Sequence, residues 1–218
     1  MVNTGRTTEC ESNLNRSSYY NEHYFEAKQL YSLSAQINCI YNLKPTNILE
    51  VGKGNGFVSD FLRKAGYSVT TFDINPSLNP DIIGDVMELD KYFSNDEFSL
   101  VTCSEVLEHI PFKNFQKVLA ELSNISKEHV FLTLPRCQRT FLDFRFRIKV
   151  KGIPLIEKSI FLASSKRRIL AEHHWEVDSC KSTRKKEIIK VLEKYFYIKY
   201  FRRFELNPYH QFISLVVK

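Results

Sequence analysis

The chain has 218 residues, 43% of them apolar, which is enough for one sizeable core but short for two ordinary domains. Only seven glycines and seven prolines occur and no repeat is visible, so a solenoid or a largely disordered chain is excluded. No window approaches the roughly 20 apolar residues of a membrane span, and the polar start lacks the core of a secretion signal. We therefore expect a cytoplasmic protein with no transmembrane segment.

The net charge is +6, and the basic excess lies in the second half of the chain. Three clusters carry it, namely Arg145–Lys151, Lys166–Arg168 and Arg184–Lys186. Such clusters suit phosphate, nucleic acid or an anionic membrane surface, although solvated helix faces are more common. No recognised nucleic-acid module is visible, so a nucleic-acid partner is not favoured.

Five cysteines are scattered without a C-x-x-C pair, and this predicts reduced thiols: Cys10, Cys39, Cys103, Cys137 and Cys180.

Residues 1–18 are polar and rich in Asn, Ser and Thr, which predicts a mobile tail before a single domain over 19–218. Residues 24–42 then predict a helix. Its expected apolar face consists of Phe25, Leu30, Leu33, Ile37 and Ile40.

The region 45–135 alternates predicted strands with predicted helices. The strands are Asn47–Val51, Tyr67–Phe72, Ile82–Ile83, Phe98–Cys103 and His129–Leu134, and the helices are Phe57–Lys64 and Phe112–Ser123. This alternation predicts an α/β fold with a doubly wound, parallel sheet.

After Pro135 the alternation stops. Residues 136–182 are aromatic and basic and contain no clear βα unit, so we interpret them as a lid inserted into the core. Residues 183–218 then complete the core, with a helix at 183–194 and strands at about 195–204 and 211–217. The Asn207-Pro208 turn between these strands predicts an antiparallel pair at the end of the sheet.

The segment Ile48–Gly56 reads ILEVGKGNG, an apolar strand that runs into three glycines and then a helix. Glycines permit a sharp turn and let a ligand lie against bare backbone at the helix N-terminus. A dinucleotide site of the G-x-G-x-x-G type would need glycine at position 57, where Phe57 stands. The pattern therefore favours S-adenosylmethionine over a dinucleotide.

With this motif the sequence resembles the class I S-adenosylmethionine-dependent methyltransferases, whose first motif is similar to VLEVGCGTG. The family pattern EVLEH follows the fourth strand here as Glu105–His109, and acidic residues follow the second and third strands as Asp73 and Asp85. The resemblance covers about residues 45–135. It implies a Rossmann-like, mostly parallel seven-stranded sheet with the last strand antiparallel, and it implies that S-adenosylmethionine is converted to S-adenosylhomocysteine.

The resemblance assigns the cofactor contacts to one set of positions. These are Glu50, Gly52, Lys53, Gly54, Asn55, Gly56, Asp73, Ile74, Asp85, Val86, Ser104 and Glu105. Asp73 is expected to accept bonds from both ribose hydroxyls, since a carboxylate offers two acceptors. Asp85 is expected to bind the adenine amino group with Val86 against the ring, but either aspartate can instead cap a turn. Lys53 departs from the family's small residue: it can pair with the methionine carboxylate, crowd the sulfonium or point to solvent.

Glu105, Glu108 and His109 share one face if this turn is helical, and two carboxylates and an imidazole then converge. Similar sets bind divalent metal in small-RNA 2'-O-methyltransferases and in ubiquinone-pathway O-methyltransferases, whereas the same letters occur in relatives with no known metal. His173 or His174 is the candidate to complete such a site. We do not favour a metal at this stage.

We expect O-methylation of a hydroxyl on a small molecule or sugar-like acceptor. Histidine is the natural base, and the candidates are His109, His173 and His174, each of which can instead be a hydrogen-bonded structural residue. Residues 19–24 and 136–178 are expected to select the acceptor. In this lid, aromatic walls are predicted at Phe141, Phe144, Phe146, Phe161 and Trp175, and an anion site at Arg145, Arg147 and Lys149. The alternative is that these aromatic residues pack an extra helical layer. An RNA methyltransferase and a catalytically silent binding protein remain the alternatives, and the oligomeric state is left open.

Overall fold

The computed structural model of the protein describes residues 11–138, 140–150, 152, 156–163 and 168–218. The predictions that concern Cys10, Lys151, Lys166 and Arg167 fall outside these residues. Within them, no helix is long and apolar enough to cross a membrane.

Seven strands form the main sheet. Their bounds are β1 Asn47–Val51, β2 Ser68–Asp73, β3 Ile82–Ile83, β4 Phe98–Ser104, β5 Ser126–Pro135, β8 Phe196–Phe204 and β9 Asn207–Val217. Their spatial order across the sheet is β3-β2-β1-β4-β5-β9-β8. The first five are parallel, whereas β9 runs antiparallel to both β5 and β8. This confirms the doubly wound, Rossmann-like sheet with the last strand reversed.

Four helices cover the two faces of the sheet: α1 Ala27–Leu43, α2 Phe57–Lys64, α3 Phe115–Ile125 and α4 Lys185–Leu192. The central strands are apolar on both faces because helices cover both. In β1, Ile48 packs into a cluster with α1 and α2, while the next residue, Leu49, packs into a larger cluster with α3 and α4. Successive side chains of a strand point to opposite faces, so one short strand contributes to both cores.

The prediction of which residues form the buried face of α1 is wrong in part. Phe25 precedes the helix and, like Leu30, is exposed, whereas the buried positions are Ser32, Gln36 and Ile40. The inward face is polar because it meets polar residues of β9. Ser32 Oγ lies 3.1 Å from Asn207 Nδ2, which donates to it, and 2.9 Å from Nδ1 of His210.

Two predictions about the second half of the chain are also corrected. Asn207 and Pro208 belong to β9, and the turn that joins β8 to β9 is Glu205-Leu206.

The segment after β5 contains a separate two-stranded antiparallel sheet of β6 Thr140–Ile148 and β7 Ile156–Ala163. Alternation of apolar and basic residues along β6 was the signal for this hairpin, and the sequence interpretation overlooked it.

Trp175 belongs to the core and not to a lid wall. Its side chain is 2% exposed and packs edge-on against Phe112 and Phe115, with ring centroids 4.9 and 5.1 Å away. Its indole N–H donates to the carbonyl oxygens of Leu107 and Ile110, each at 3.1 Å. Trp175 therefore ties the chain after the hairpin to the turn that follows β4.

We predict that Trp175→Ala lowers the free energy of unfolding by about 3–5 kcal/mol, because it leaves a cavity and two buried carbonyl groups without their donor. Urea unfolding followed by far-UV circular dichroism measures the change. Tyr197→Ala is the matched control, since Tyr197 is 63% exposed on β8 and its truncation should shift stability by less than about 1 kcal/mol. Equal effects in the two variants would contradict the core position of Trp175.

Candidate active site

The turn between β1 and α2 is made by glycines with left-handed backbone. The backbone φ angles of Gly52, Gly54 and Gly56 are 82°, 54° and 77°. Residues other than glycine rarely adopt this left-handed conformation. A Cβ on Gly52 would lie 2.2 Å from Cγ2 of Val106, whereas a Cβ on Gly54 would meet no atom within 4 Å. Gly52 is therefore required for packing against the turn after β4, and Gly54 faces open space.

Lys53 does not point to solvent, nor is its ammonium free in the cavity. Its Nζ donates to the carbonyl oxygens of Leu78 and Asn79, at 2.9 and 2.6 Å. These carbonyls end the short helical turn Pro76–Leu78, where a cation is favoured. Lys53 therefore anchors the glycine turn to the segment after β2.

Asp73 closes β2 and is buried beside the glycine turn. Its Oδ2 accepts a bond from the N–H of Gly54 at 3.2 Å, and its Oδ1 accepts one from the N–H of Asn75 at 2.9 Å. Burial raises the pKa of the Asp73 carboxyl, and the backbone N–H groups offset part of this rise. The carboxylate is thus held rigidly against the backbone at which a ligand would lie.

Asp85 and Val86 begin the helical turn Val86–Lys91 after β3. Asp85 Oδ1 accepts a bond from the N–H of Met87 at 2.9 Å. This oxygen therefore caps the helical turn, which is the alternative role that the sequence allowed for Asp85. Both residues, together with Ile74, also line the central cavity. Capping and ligand binding are compatible here, since a carboxylate has a second oxygen.

A cavity of about 690 Å³ opens at the carboxyl ends of the strands. Its lining includes every position that the family resemblance assigned to the cofactor except Gly56, the last glycine of the turn. Leu14, Ser17, Tyr19 and Tyr24 line it as well. This differs from the mobile tail expected for residues 1–18, of which 11–18 are described.

The N-terminal segment is held over the cavity by hydrogen bonds. The carbonyl oxygen of Leu14 accepts bonds from Asn75 Nδ2 at 2.9 Å and Ser77 Oγ at 3.1 Å, and the Tyr20 hydroxyl donates to the carbonyl of Asn55 at 2.9 Å. Burial raises the pKa of Tyr24 to about 12, so this phenol stays neutral. The polarity of residues 11–18 gave no indication of these contacts, which depend on the fold of the whole chain.

Ser104 and Glu105 line the cavity where β4 ends. Glu105 has a φ of 54°, and its Oε2 lies 3.6 Å from Nε2 of His210 on β9. Burial lowers the pKa of His210 to about 3, so its imidazole is neutral at physiological pH. His210 was missed by sequence reasoning because a histidine inside a predicted strand carries no motif.

Glu108, His109 and His173 come together at the same end of the cavity. One ligand atom of each lies within 4.8 Å of those of the other two, and the two imidazole rings meet edge to face at 4.9 Å. Glu108 is fully buried, and neither of its carboxyl oxygens has a hydrogen-bond partner among the described residues. Burial, and then the neighbouring Glu105 carboxyl, hold the pKa of Glu108 well above its ordinary value.

Both histidines are oriented through Nδ1. His109 Nδ1 lies 3.2 Å from the carbonyl oxygen of Glu172, which can only accept, so the nitrogen donates and Nε2 keeps the lone pair. His173 Nδ1 lies 3.0 Å from Oε1 of the buried Glu176. A carboxylate at Glu176 accepts from Nδ1 and again leaves the lone pair on Nε2.

The remaining predicted site residues do not reach this cluster. The side chain of His174 is exposed and does not line the cavity, and its N–H donates to the carbonyl of Glu108 at 2.8 Å. Glu105, which the sequence grouped with Glu108 and His109 as a potential metal set, lies outside the three-residue cluster, and His173 takes its place. From the predicted lid, the cavity is lined by Leu170, Glu172 and His173 and not by residues of β6 or β7.

A comparison with models of known protein families gives a match. Residues 20–195 match a family model described as a methyltransferase domain. No curated protein matches the sequence significantly.

Solved structures share the fold at low sequence identity. The PH0226 protein of Pyrococcus horikoshii OT3 is 12% identical with a TM-score of 0.57, covering 91% of this chain and 99% of its own. Magnesium protoporphyrin IX methyltransferase of Synechocystis PCC 6803, with S-adenosylhomocysteine bound, is 14% identical with a TM-score of 0.54, covering 88% and 84%. The N-methyltransferase NodS of Bradyrhizobium japonicum WM9, in complex with S-adenosylhomocysteine, is 11% identical with a TM-score of 0.56, covering 96% of each chain.

We predict that Gly54→Ala weakens S-adenosylmethionine binding at least about tenfold, because its methyl group enters the open space beside the turn. Gly66→Ala is the matched control. Gly66 also has positive φ and open space around its Cβ, but it does not line the cavity. Calorimetry should show normal affinity in this control, and equal losses in both variants would mean that backbone strain alone causes the effect.

Glu50 should make cofactor affinity depend on pH. Burial raises the pKa of this cavity-lining carboxyl to about 7, and its Oε2 has no hydrogen-bond partner among the described residues. A cationic ligand favours the ionised form, so binding releases a proton and affinity rises with pH until about pH 7, then levels off. We expect a rise of about tenfold between pH 6 and pH 8 by calorimetry. Glu50→Gln should bind with an affinity that varies much less with pH, and an unchanged slope would assign the proton to another group.

Proposed function

Because the chain belongs to the methyltransferase domain family, we propose that it transfers the methyl group of S-adenosylmethionine to a hydroxyl of a small-molecule or sugar-like acceptor. The observation that carries the hydroxyl assignment is the cluster of Glu108, His109 and His173 at one end of the cavity. An amine acceptor is nucleophilic once neutral, whereas a hydroxyl must lose its proton during the transfer. Two imidazoles that keep the lone pair on Nε2 suit that requirement.

In this proposal the cofactor occupies the end of the cavity near the glycine turn. Asp73 receives the ribose hydroxyls, and Asp85 with Val86 faces the adenine. The N–H groups around Gly54 lie against the cofactor at the start of α2. The sulfonium then points toward the turn after β4, where Glu105 and the three-residue cluster lie.

The acceptor occupies the opposite end, between the N-terminal segment and residues 170–173. Tyr19, Tyr24 and Leu170 supply apolar and aromatic walls, and His109 and His173 supply polar atoms. Such a mixture of apolar walls and few convergent polar groups is typical of sites for compact ligands. The anion-binding role expected for Arg145, Arg147 and Lys149 has no support from the cavity, since none of the three lines it.

The transfer itself needs alignment and one proton movement. The acceptor oxygen attacks the methyl carbon in line with the carbon–sulfur bond, and an oxygen–carbon bond forms as that bond breaks. The electron pair of the broken bond stays on sulfur, which leaves as neutral S-adenosylhomocysteine. His109 Nε2 takes the hydroxyl proton, and the imidazolium later loses it to solvent.

The same three side chains also form a ligand set for a divalent cation. Two imidazoles and one carboxylate suit such a metal, and Nδ1 of each ring is already oriented by an acceptor, as is usual for metal-bound histidine. A buried carboxylate without partners among the described residues fits this use equally well. A bound cation would lower the pKa of the acceptor hydroxyl, and Glu108, His109 and His173 would hold it.

We predict that His109→Gln lowers kcat about 10²–10⁴-fold while S-adenosylmethionine affinity stays within about twofold. The assay is release of S-adenosylhomocysteine across a panel of hydroxyl, carboxyl and amine acceptors. His174→Gln is the matched control, because His174 is adjacent to His173 in sequence but exposed and outside the cavity.

Chelation distinguishes the two uses of the cluster. Loss of turnover in excess chelator and recovery with Mg²⁺ or Mn²⁺ would assign the cluster to metal binding, whereas full activity in chelator would assign it to proton transfer. Turnover of amine acceptors alone, with kcat unaffected by His109→Gln, would refute the hydroxyl assignment. Salt-sensitive turnover of RNA would favour the nucleic-acid alternative.

A further inference from the structure

The β6–β7 hairpin has an apolar face that is turned to solvent. Side chains alternate along a strand and cross-strand partners share a face, so Leu142, Phe144, Phe146 and Ile148 of β6 lie on one side with Ile160 and Leu162 of β7. These six side chains are between 39 and 52% exposed. Exposed apolar residues are ordinary when single, but six on one face of a two-stranded hairpin indicate an interaction surface. We call these six residues the hairpin apolar face.

The opposite face of the hairpin is mostly polar, and one of its side chains contacts the body of the protein. It carries Asp143, Arg145 and Arg147, and Arg145 is paired with Asp143 at 2.9 Å. Phe161 lies on this face too, with the guanidinium of Arg203 on β8 5.0 Å from its ring centroid.

The charge of the hairpin indicates what covers this face. Residues 140–163 contain five lysines and arginines but two acidic residues, and the whole chain has a net charge of +6. A second copy would bring the same positive charge, which opposes self-association. An anionic lipid surface complements the basic side chains and also accepts apolar side chains beneath its headgroups.

Backbone hydrogen bonding sets the depth of such an interaction. Among the described strands, β6 and β7 pair with each other in a sheet of their own. Edge N–H and C=O groups are costly in the hydrocarbon region but are satisfied by water and headgroups at the interface. The hairpin is therefore suited to lie flat in the interface and not to span the bilayer.

We propose that the β6–β7 hairpin docks the protein on an anionic membrane surface, with the hairpin apolar face inserted at the headgroup level. This inference is independent of the acceptor and of the role of the three-residue cluster. It also accounts for a marginally stable two-stranded unit that displays phenylalanines to water, because the bilayer would bury them.

The test is co-sedimentation of the full chain with vesicles of phosphatidylcholine alone and of phosphatidylcholine with about 30% phosphatidylserine, a fraction of the order found in anionic leaflets. We expect binding to the anionic vesicles at least about tenfold stronger than to the neutral ones. Phe144→Ser/Phe146→Ser should lower binding to anionic vesicles about tenfold or more, and Arg147→Gln/Lys149→Gln should lower the preference for anionic over neutral vesicles.

The matched control is Phe61→Ser/Tyr197→Ser, which removes two aromatic side chains that are 54 and 63% exposed on other elements. Its vesicle binding should equal that of the unaltered protein. Depth is read from Phe146→Trp with brominated lipid: quenching of emission is expected, and the native Trp175 contributes little because it is buried.

Three outcomes would overturn the proposal. One is no vesicle binding by the unaltered protein, and another is equal losses in the hairpin variant and the matched control. The third is a dimer in sedimentation that Phe144→Ser/Phe146→Ser converts to a monomer without any vesicle binding, which would assign the face to a second copy.

Discussion

The hydrogen-bonded register of β1 against its two parallel neighbours is the constraint on which the cavity depends. Val51 is level with Phe72 of β2 and with Cys103 of β4. The residues that follow these three therefore emerge at the same edge of the sheet. They are Gly52 with its turn, Asp73, and Ser104 with Glu105, and each lines the cavity. A slip of the register by one residue would turn Asp73 to the other face of the sheet and separate it from Gly54.

The cavity brings several buried carboxyl groups together. Burial raises the pKa of Glu50, Asp73 and Glu108, so each carboxyl is less readily ionised there than in water. Two of them have carboxyl oxygens without hydrogen-bond partners among the described residues. A cationic ligand reverses this penalty, because opposite charge favours the ionised form. The site is thus matched electrostatically to a sulfonium cofactor, while the neutral His210 beside Glu105 adds no competing positive charge.

Two segments outside the sheet have different relations to the cavity. Residues 11–24 cover it, and Leu14 is tied to Asn75, close behind Asp73. Residues 170–175 close another side, since Trp175 is fixed in the core and the neighbouring His173 reaches the cavity. None of the described residues of the hairpin between β5 and this closing segment lines the cavity, and the hairpin apolar face is exposed. The segment between β5 and α4 therefore contains two structural units: residues 170–173 contribute to the cavity lining, and the hairpin lies at the surface.

The sequence by itself determined β1, the glycine turn and α2, because these follow from local periodicity and from the backbone freedom of glycine. It singled out Asp73 and Asp85 through the family resemblance. It also indicated the reversed last strand. Tertiary structure alone decided which of two adjacent histidines reaches the cavity, since His173 and His109 are far apart in sequence and meet only through packing around Trp175. It likewise decided that residues 11–18 cover the site and that the hairpin turns its phenylalanines to solvent. Such non-local contacts depend on how buried surfaces fit together, and local patterns do not encode them.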